Sequence, residues 1–158
     1  MFDAPMGGDA RLRLTHKRIQ TRHVGGSAVN LKVLLSVAAA YMLLVGMGMM
    51  FVPHQFGIGA VPAEASPALI AFLRIFGGPC LGIAALNWAA RDAEPSSALN
   101  AIILGNMVGF AFVAASDVSG VVSGDARPIA KVFLVIHLAM AVAFALQWRA
   151  RDRARGYG

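Results

Sequence analysis

Apolar and polar positions in this chain are segregated into blocks. Residues 31–52, 68–90, 98–117 and 128–148 are runs of apolar and small side chains almost free of charge. A helix rises about 1.5 Å per residue, so each run reaches about 30 Å, the thickness of a bilayer's hydrocarbon core. A helix that is apolar all round lies in a large protein core or in lipid. Four of them in so short a chain leave too little polar surface to enclose them. The pattern predicts an all-α fold, a bundle of four transmembrane helices. The residue-by-residue alternation that a membrane barrel needs is not present.

Breaks between the runs carry turn chemistry. Pro53 closes the first run, and three prolines and two glycines mark 53–67 as a loop, with an interfacial turn expected around 56–58. Within that loop Ala63, Glu64 and Ala65 have the form of a signal cleavage site. The preceding apolar run and basic region are too long for a signal peptide, which favours an uncleaved span. Arg91, Asp92, Glu94 and Pro95 make a short turn, with Ser96 or Ser97 as N-cap of the next helix, so spans two and three are antiparallel neighbours. The third run closes on Asp117, Val118, Ser119 and Gly120 with a loop to Arg127, and Pro128 suits the first position of a helix.

Charge orients the bundle. The chain has 158 residues, of which 58% are hydrophobic and 14% charged, with a net charge of +6. Soluble domains average about 25% charged residues. Basic residues concentrate in an arm over 1–30, with Arg11, Arg13, Lys17, Arg18 and Arg22, and in a tail over 149–158, with Arg149, Arg151, Arg153 and Arg155. A short amphipathic helix over 12–21 is compatible with an otherwise flexible arm. The loop 53–67 has no Lys or Arg, and the 118–127 loop has only Arg127. The positive-inside bias then puts both termini and the Arg91 turn in the cytoplasm. Basic residues beside apolar spans fit attraction to anionic lipid headgroups. Without interleaved aromatics they offer no base-stacking surface, so no nucleic-acid partner is expected.

Polar residues at membrane depth each need a partner or a task. Arg74, Asp117 and Lys131 all fall toward the outer side, where they form either snorkelling and ion-paired structure or a small anion or headgroup pocket. Asn106 and His137 fall near mid-membrane, as a hydrogen-bonded pair across helices or as a ligand or proton-relay site. Asn87 and Asn100 are expected to face each other at the cytoplasmic turn. Small residues allow helices to approach closely in lipid. Gly78 with Gly82, and Gly105 with Gly109, are spaced for this, either within the bundle or between two copies. Gly46, Gly48 and the alanines at 38–40 give span one a small face. Pro79 removes a helical hydrogen bond and should kink span two, shaping its packing or lining a cavity. Cys80, the only cysteine, precludes an intrachain disulfide and reads as a buried thiol.

Catalytic signatures are missing. No phosphate-binding loop, zinc-protease motif, nucleophile elbow or paired carboxylates within a span occurs. Asp117, Ser116 and His137 read as lying at unequal depths, which argues against a hydrolase triad. With His137 alone at mid-membrane, a bis-histidine haem within one chain is excluded. No catalytic residue, metal site or cofactor is predicted.

Leu73, Arg74, Ile75, Phe76 and Gly77, then Leu81 and Gly82, then Asn87, Trp88 and Arg91, resemble a group of small four-helix bacterial membrane proteins of unknown function. Leu104, Gly105, Asn106 and His137 extend the resemblance over about 34–148, outside both basic ends. It implies the four-span fold, the bacterial cytoplasmic (inner) membrane and no activity. The expectation is a non-enzymatic structural or accessory subunit that packs against itself or a larger membrane complex. The alternative is a protein that binds or transports a small anion or amphiphile between its helices on the outer side.

Overall fold

The computed structural model describes residues 30–56 and 61–155. The basic arm before residue 30, with its expected amphipathic helix, lies outside them, as do residues 57–60 and 156–158. The described chain forms α1 (Leu31–Phe51), a short α2 (Pro53–Phe56), α3 (Pro67–Ala90), α4 (Ser97–Ser123) and α5 (Ala130–Arg155). All but α2 are long and apolar enough to cross a membrane. The fold is therefore an all-α bundle of four such helices.

Capping residues set where the helices begin. The Asn30 side chain accepts a hydrogen bond from the Lys32 amide at 3.0 Å. Ser66 Oγ accepts from the Leu69 amide at 3.2 Å, and Ser96 Oγ from the Leu99 amide at 3.1 Å. Each satisfies an amide that the first helical turn leaves unpaired, a contribution of about 1 kcal/mol. At the other end of α4, Gly124 takes φ +80°, a left-handed conformation that terminates the helix without a Cβ clash.

Two boundaries differ from the sequence pattern. α4 does not stop at Asp117 but continues through Val118, Ser119 and Gly120 to Ser123. Ser and Gly weaken a helix without breaking it, and the stop comes only at the left-handed glycine. α5 continues past Trp148 to Arg155, so residues 149–155 of the basic tail are helical.

The four long helices form two pairs. α1 lies closely along α3, and α4 along α5, whereas the backbones of the two pairs approach each other only sparsely, α1 toward α5 and α3 toward α4. Within the first pair the backbones touch at Gly46 and Gly77. A Cβ on Gly77 would sit 2.7 Å from the Gly46 carbonyl oxygen, and one on Gly46 would sit 2.9 Å from the Gly77 carbonyl oxygen. α2 folds back on the same helix, with the Phe56 ring where a Gly48 Cβ would stand, 2.2 Å away. The small face expected on span one is thus used.

The GxxxG glycines are placed differently from the expectation of intrachain packing. A Cβ on Gly82, Gly105 or Gly109 would meet nothing within 4 Å, and one on Gly78 would only reach Met50 at 4.0 Å. Pro79 lies inside α3 and is exposed. A four-residue spacing marks a face on which close approach is possible, but it does not say which way that face turns. In α4 the buried stripe is Leu99, Ile103, Asn106, Phe110 and Ala114, and Gly105 and Gly109 lie off it.

Between the pairs the filling is by larger side chains. Phe144, Leu35, Leu99 and Ile103 are fully buried, with Leu34, Ala38, Phe110, Met140 and Ala141 beside them. Lipid is as apolar as these side chains, so the gain here is dispersion and fit rather than removal from water. Outward faces carry large apolar groups such as Ile75, Phe112 and Val122, exposed by 73%, 74% and 81%. In a bilayer these meet acyl chains.

Candidate functional site

His137 is buried at 8% exposure, about 10 Å into α5. Its two ring nitrogens reach in different directions. Nδ1 lies 2.6 Å from Asp117 Oδ2 on α4, and Nε2 lies 2.5 Å from the Tyr41 hydroxyl on α1. A carboxylate can only accept, so Nδ1–H donates to Asp117. In the neutral imidazole Nε2 then accepts from the Tyr41 hydroxyl. Three helices from both pairs are joined by one chain of hydrogen bonds.

Helix lengths explain why the depths match. Because α4 runs on to Ser123, Asp117 sits about 9 Å inside its end, level with His137 on the antiparallel α5. The sequence pattern had placed Asp117 at the end of its span and His137 several turns away. Aromatic rings enclose the chain. Phe133 stacks on His137 at 6.3 Å, Tyr41 meets it edge-on at 5.6 Å, and Phe110 lies 6.1 Å from it and 6.0 Å from Tyr41. Phe110 also stacks on Phe144 at 6.1 Å. Such walls lower the local dielectric and strengthen the bonds they enclose.

The charge of this chain of bonds depends on the imidazole. With His137 protonated it is an ion pair against Asp117, and with His137 neutral it carries a single anion. Among the described residues no cluster of three or more His, Cys, Asp or Glu could hold a metal.

A second polar joint lies deeper toward the end that carries the described termini. Asn87 of α3 and Asn106 of α4 bond reciprocally through their amides, at 2.9 and 2.7 Å, and Asn106 also donates to the Ile102 carbonyl at 2.9 Å. Asn87 is fully buried. Both joints connect one helix pair to the other.

The expected groupings are redistributed. Asp117 pairs with His137, not with Arg74. Arg74 is exposed and makes no hydrogen bond or ion pair among the described residues, and Lys131 is exposed near the start of α5. Asn106 pairs with Asn87 rather than with His137. Asn100 instead accepts from Arg151 at 3.3 Å, tying the end of α5 to the start of α4. Cys80 is buried. Of the five candidate polar residues, only Asp117 and His137 come together. Tyr41 was the residue missed. Its signal was present as the only phenol within the four apolar runs.

At the terminal end, the Arg91 guanidinium lies 3.7 Å over the Trp88 ring and donates to the Trp88 carbonyl. Lys32 Nζ reaches Asp92 at 2.6 Å and Arg91 Nε reaches it at 3.3 Å. The hydrogen bond from Lys32 is the main cause that holds the Asp92 carboxyl below its ordinary range; desolvation opposes it, and the charges of Lys32 and Arg91 add to the lowering.

Fold and site together define a multi-pass α-helical membrane protein whose helix pairs are joined by buried polar side chains. Comparison with protein-family models, curated protein sequences and solved structures gave no match.

Proposed function

We propose that this protein is a non-enzymatic accessory or structural subunit that associates laterally with a second copy or a larger membrane complex. The observation that carries this reading is the outward placement of Gly105 and Gly109 on α4, where an added Cβ would meet nothing. Ala101, one turn earlier, is also exposed, so the three make a small-residue face at four-residue spacing. In lipid such a face gains by close approach of another helix. The polar side chains between the helices, Tyr41, His137 and Asp117 and the pair Asn87 and Asn106, are bonded to one another, which supports an interior built for cohesion.

The reading places both termini in the cytoplasm of a bacterial inner membrane, on the charge distribution of the flanks. Anion binding or transport draws less support, because Arg74 and Lys131 stand exposed and apart from Asp117 and His137. Crosslinking and native mass spectrometry in mild detergent test the proposal. Association with a second copy or another membrane protein is expected, weakened by Gly105→Ile. A monomer with no partner in native membranes would contradict it.

A further inference from the structure

We propose that the outer face of the α1/α3 pair is a binding site for an anionic phospholipid. A groove of about 420 Å³ runs between these helices, lined by Ala39, Ala40, Leu43, Leu81, Ala84 and Trp88. Its walls are small and apolar, and its volume falls in the lower part of the range of about 300–1,000 Å³ seen for ligand sites. From Leu81 to Trp88 it extends about 10 Å along α3. Apart from the Trp88 indole at its end, its lining is alanine and leucine, so its complement is a hydrocarbon chain.

The terminal end of the groove supplies the headgroup chemistry. On α1, Lys32, Ser36, Ala39 and Leu43 recur at helical spacing on one stripe, and on α3 Leu81, Ala84, Trp88 and Arg91 do the same. Following each stripe out of the groove therefore leads to Lys32 and Arg91. Arg91 lies across the Trp88 ring that forms the groove's end. At the mouth Lys32 reaches one oxygen of Asp92 and Arg91 reaches the other through Nε alone, so both cations keep donors that Asp92 does not use. Lys32 and Asp92 are more than half exposed, open to a phosphate. The acyl chain lies in the groove, and the phosphodiester takes up the free donors of Arg91 and Lys32, with Trp88 at the interface between them.

The test uses the full chain, delipidated in a neutral detergent and titrated with phosphatidylglycerol or with phosphatidylcholine of the same acyl chains, read by native mass spectrometry. One phosphatidylglycerol per chain is expected, preferred about fivefold over phosphatidylcholine, and Arg91→Gln should abolish that preference. Ala40→Leu with Ala85→Leu fills the groove from two exposed positions and should weaken both lipids, with an unchanged helical circular-dichroism spectrum. Soluble glycerol phosphate should not compete. Equal affinity for the two lipids would overturn the proposal, as would unaltered binding by the filled variant. So would a dimer that the filled variant abolishes, because the groove would then belong to a second copy.

Discussion

The seam inside the α1/α3 pair and the seam between the two helix pairs solve the same problem by opposite means. Inside the pair, Gly46 and Gly77 bring backbones into contact, and there is no room for even a methyl group. Between the pairs the backbones stay apart, and the space is filled by Phe144, Leu35, Leu99 and Ile103. Hydrogen bonds then cross it at two depths, through Asp117, His137 and Tyr41 and through Asn87 with Asn106. In lipid there is no hydrophobic drive to bring helices together, so adhesion comes from close packing or from polar bonds. A seam built on glycine contact has one tight geometry. A seam built on side-chain bonds holds only while every partner in it is present.

The largest effect should come from breaking the polar seam at its centre. His137→Leu leaves Asp117 and Tyr41 without their shared partner, and two stranded polar groups cost about 3 kcal/mol together. Unfolding in mixed detergent micelles, followed by circular dichroism, should show that loss. Next comes one substitution made on two kinds of glycine. Gly77→Ala should destabilise by about 2 kcal/mol, because the methyl group collides with the Gly46 carbonyl oxygen. Gly105→Ala, on the open face of α4, should be neutral or stabilising by about 0.5 kcal/mol, since alanine restricts the unfolded chain. Equal effects at both positions would erase the distinction between inward and outward glycines. The smallest effect lies outside both seams. Asp92 has its folded pKa below the ordinary 3.8, so its stabilisation is present above that value and lost as pH falls through the folded pKa. Both partners are exposed, so this acid-side decline should be slight in thermal unfolding and should fade in high salt.

The architecture was legible in the sequence because it rests on long apolar runs bounded by Pro, Ser and Gly, each a local signal. Ser96 caps α4, and Ala38, Ala39, Gly46 and Gly48 of the small face of span one are buried, while Ala40 is exposed. The partners of the polar residues were not legible. Pairing depends on relative depth and rotation, and one misplaced helix end was enough to separate Asp117 from His137. A helix ending at Asp117 would put the carboxylate at the surface, on the side of Arg74. Six more helical residues bring it level with the imidazole. Gly77 and Gly78 show the same limit. They are neighbours in sequence, but about 100° of helical rotation separates the glycine that touches α1 from the one that does not.

The central claim is that Asp117, His137 and Tyr41 act as one connected chain across three helices. It is tested most directly by a double-mutant cycle between Tyr41→Phe and Asp117→Asn, two residues that each bond His137 through a different ring nitrogen. Removing either bond changes what the imidazole can offer the other. The account predicts a coupling free energy of about 0.6–1.7 kcal/mol in detergent unfolding. Effects that add to within about 0.3 kcal/mol would contradict it, because the two bonds would then be independent contacts.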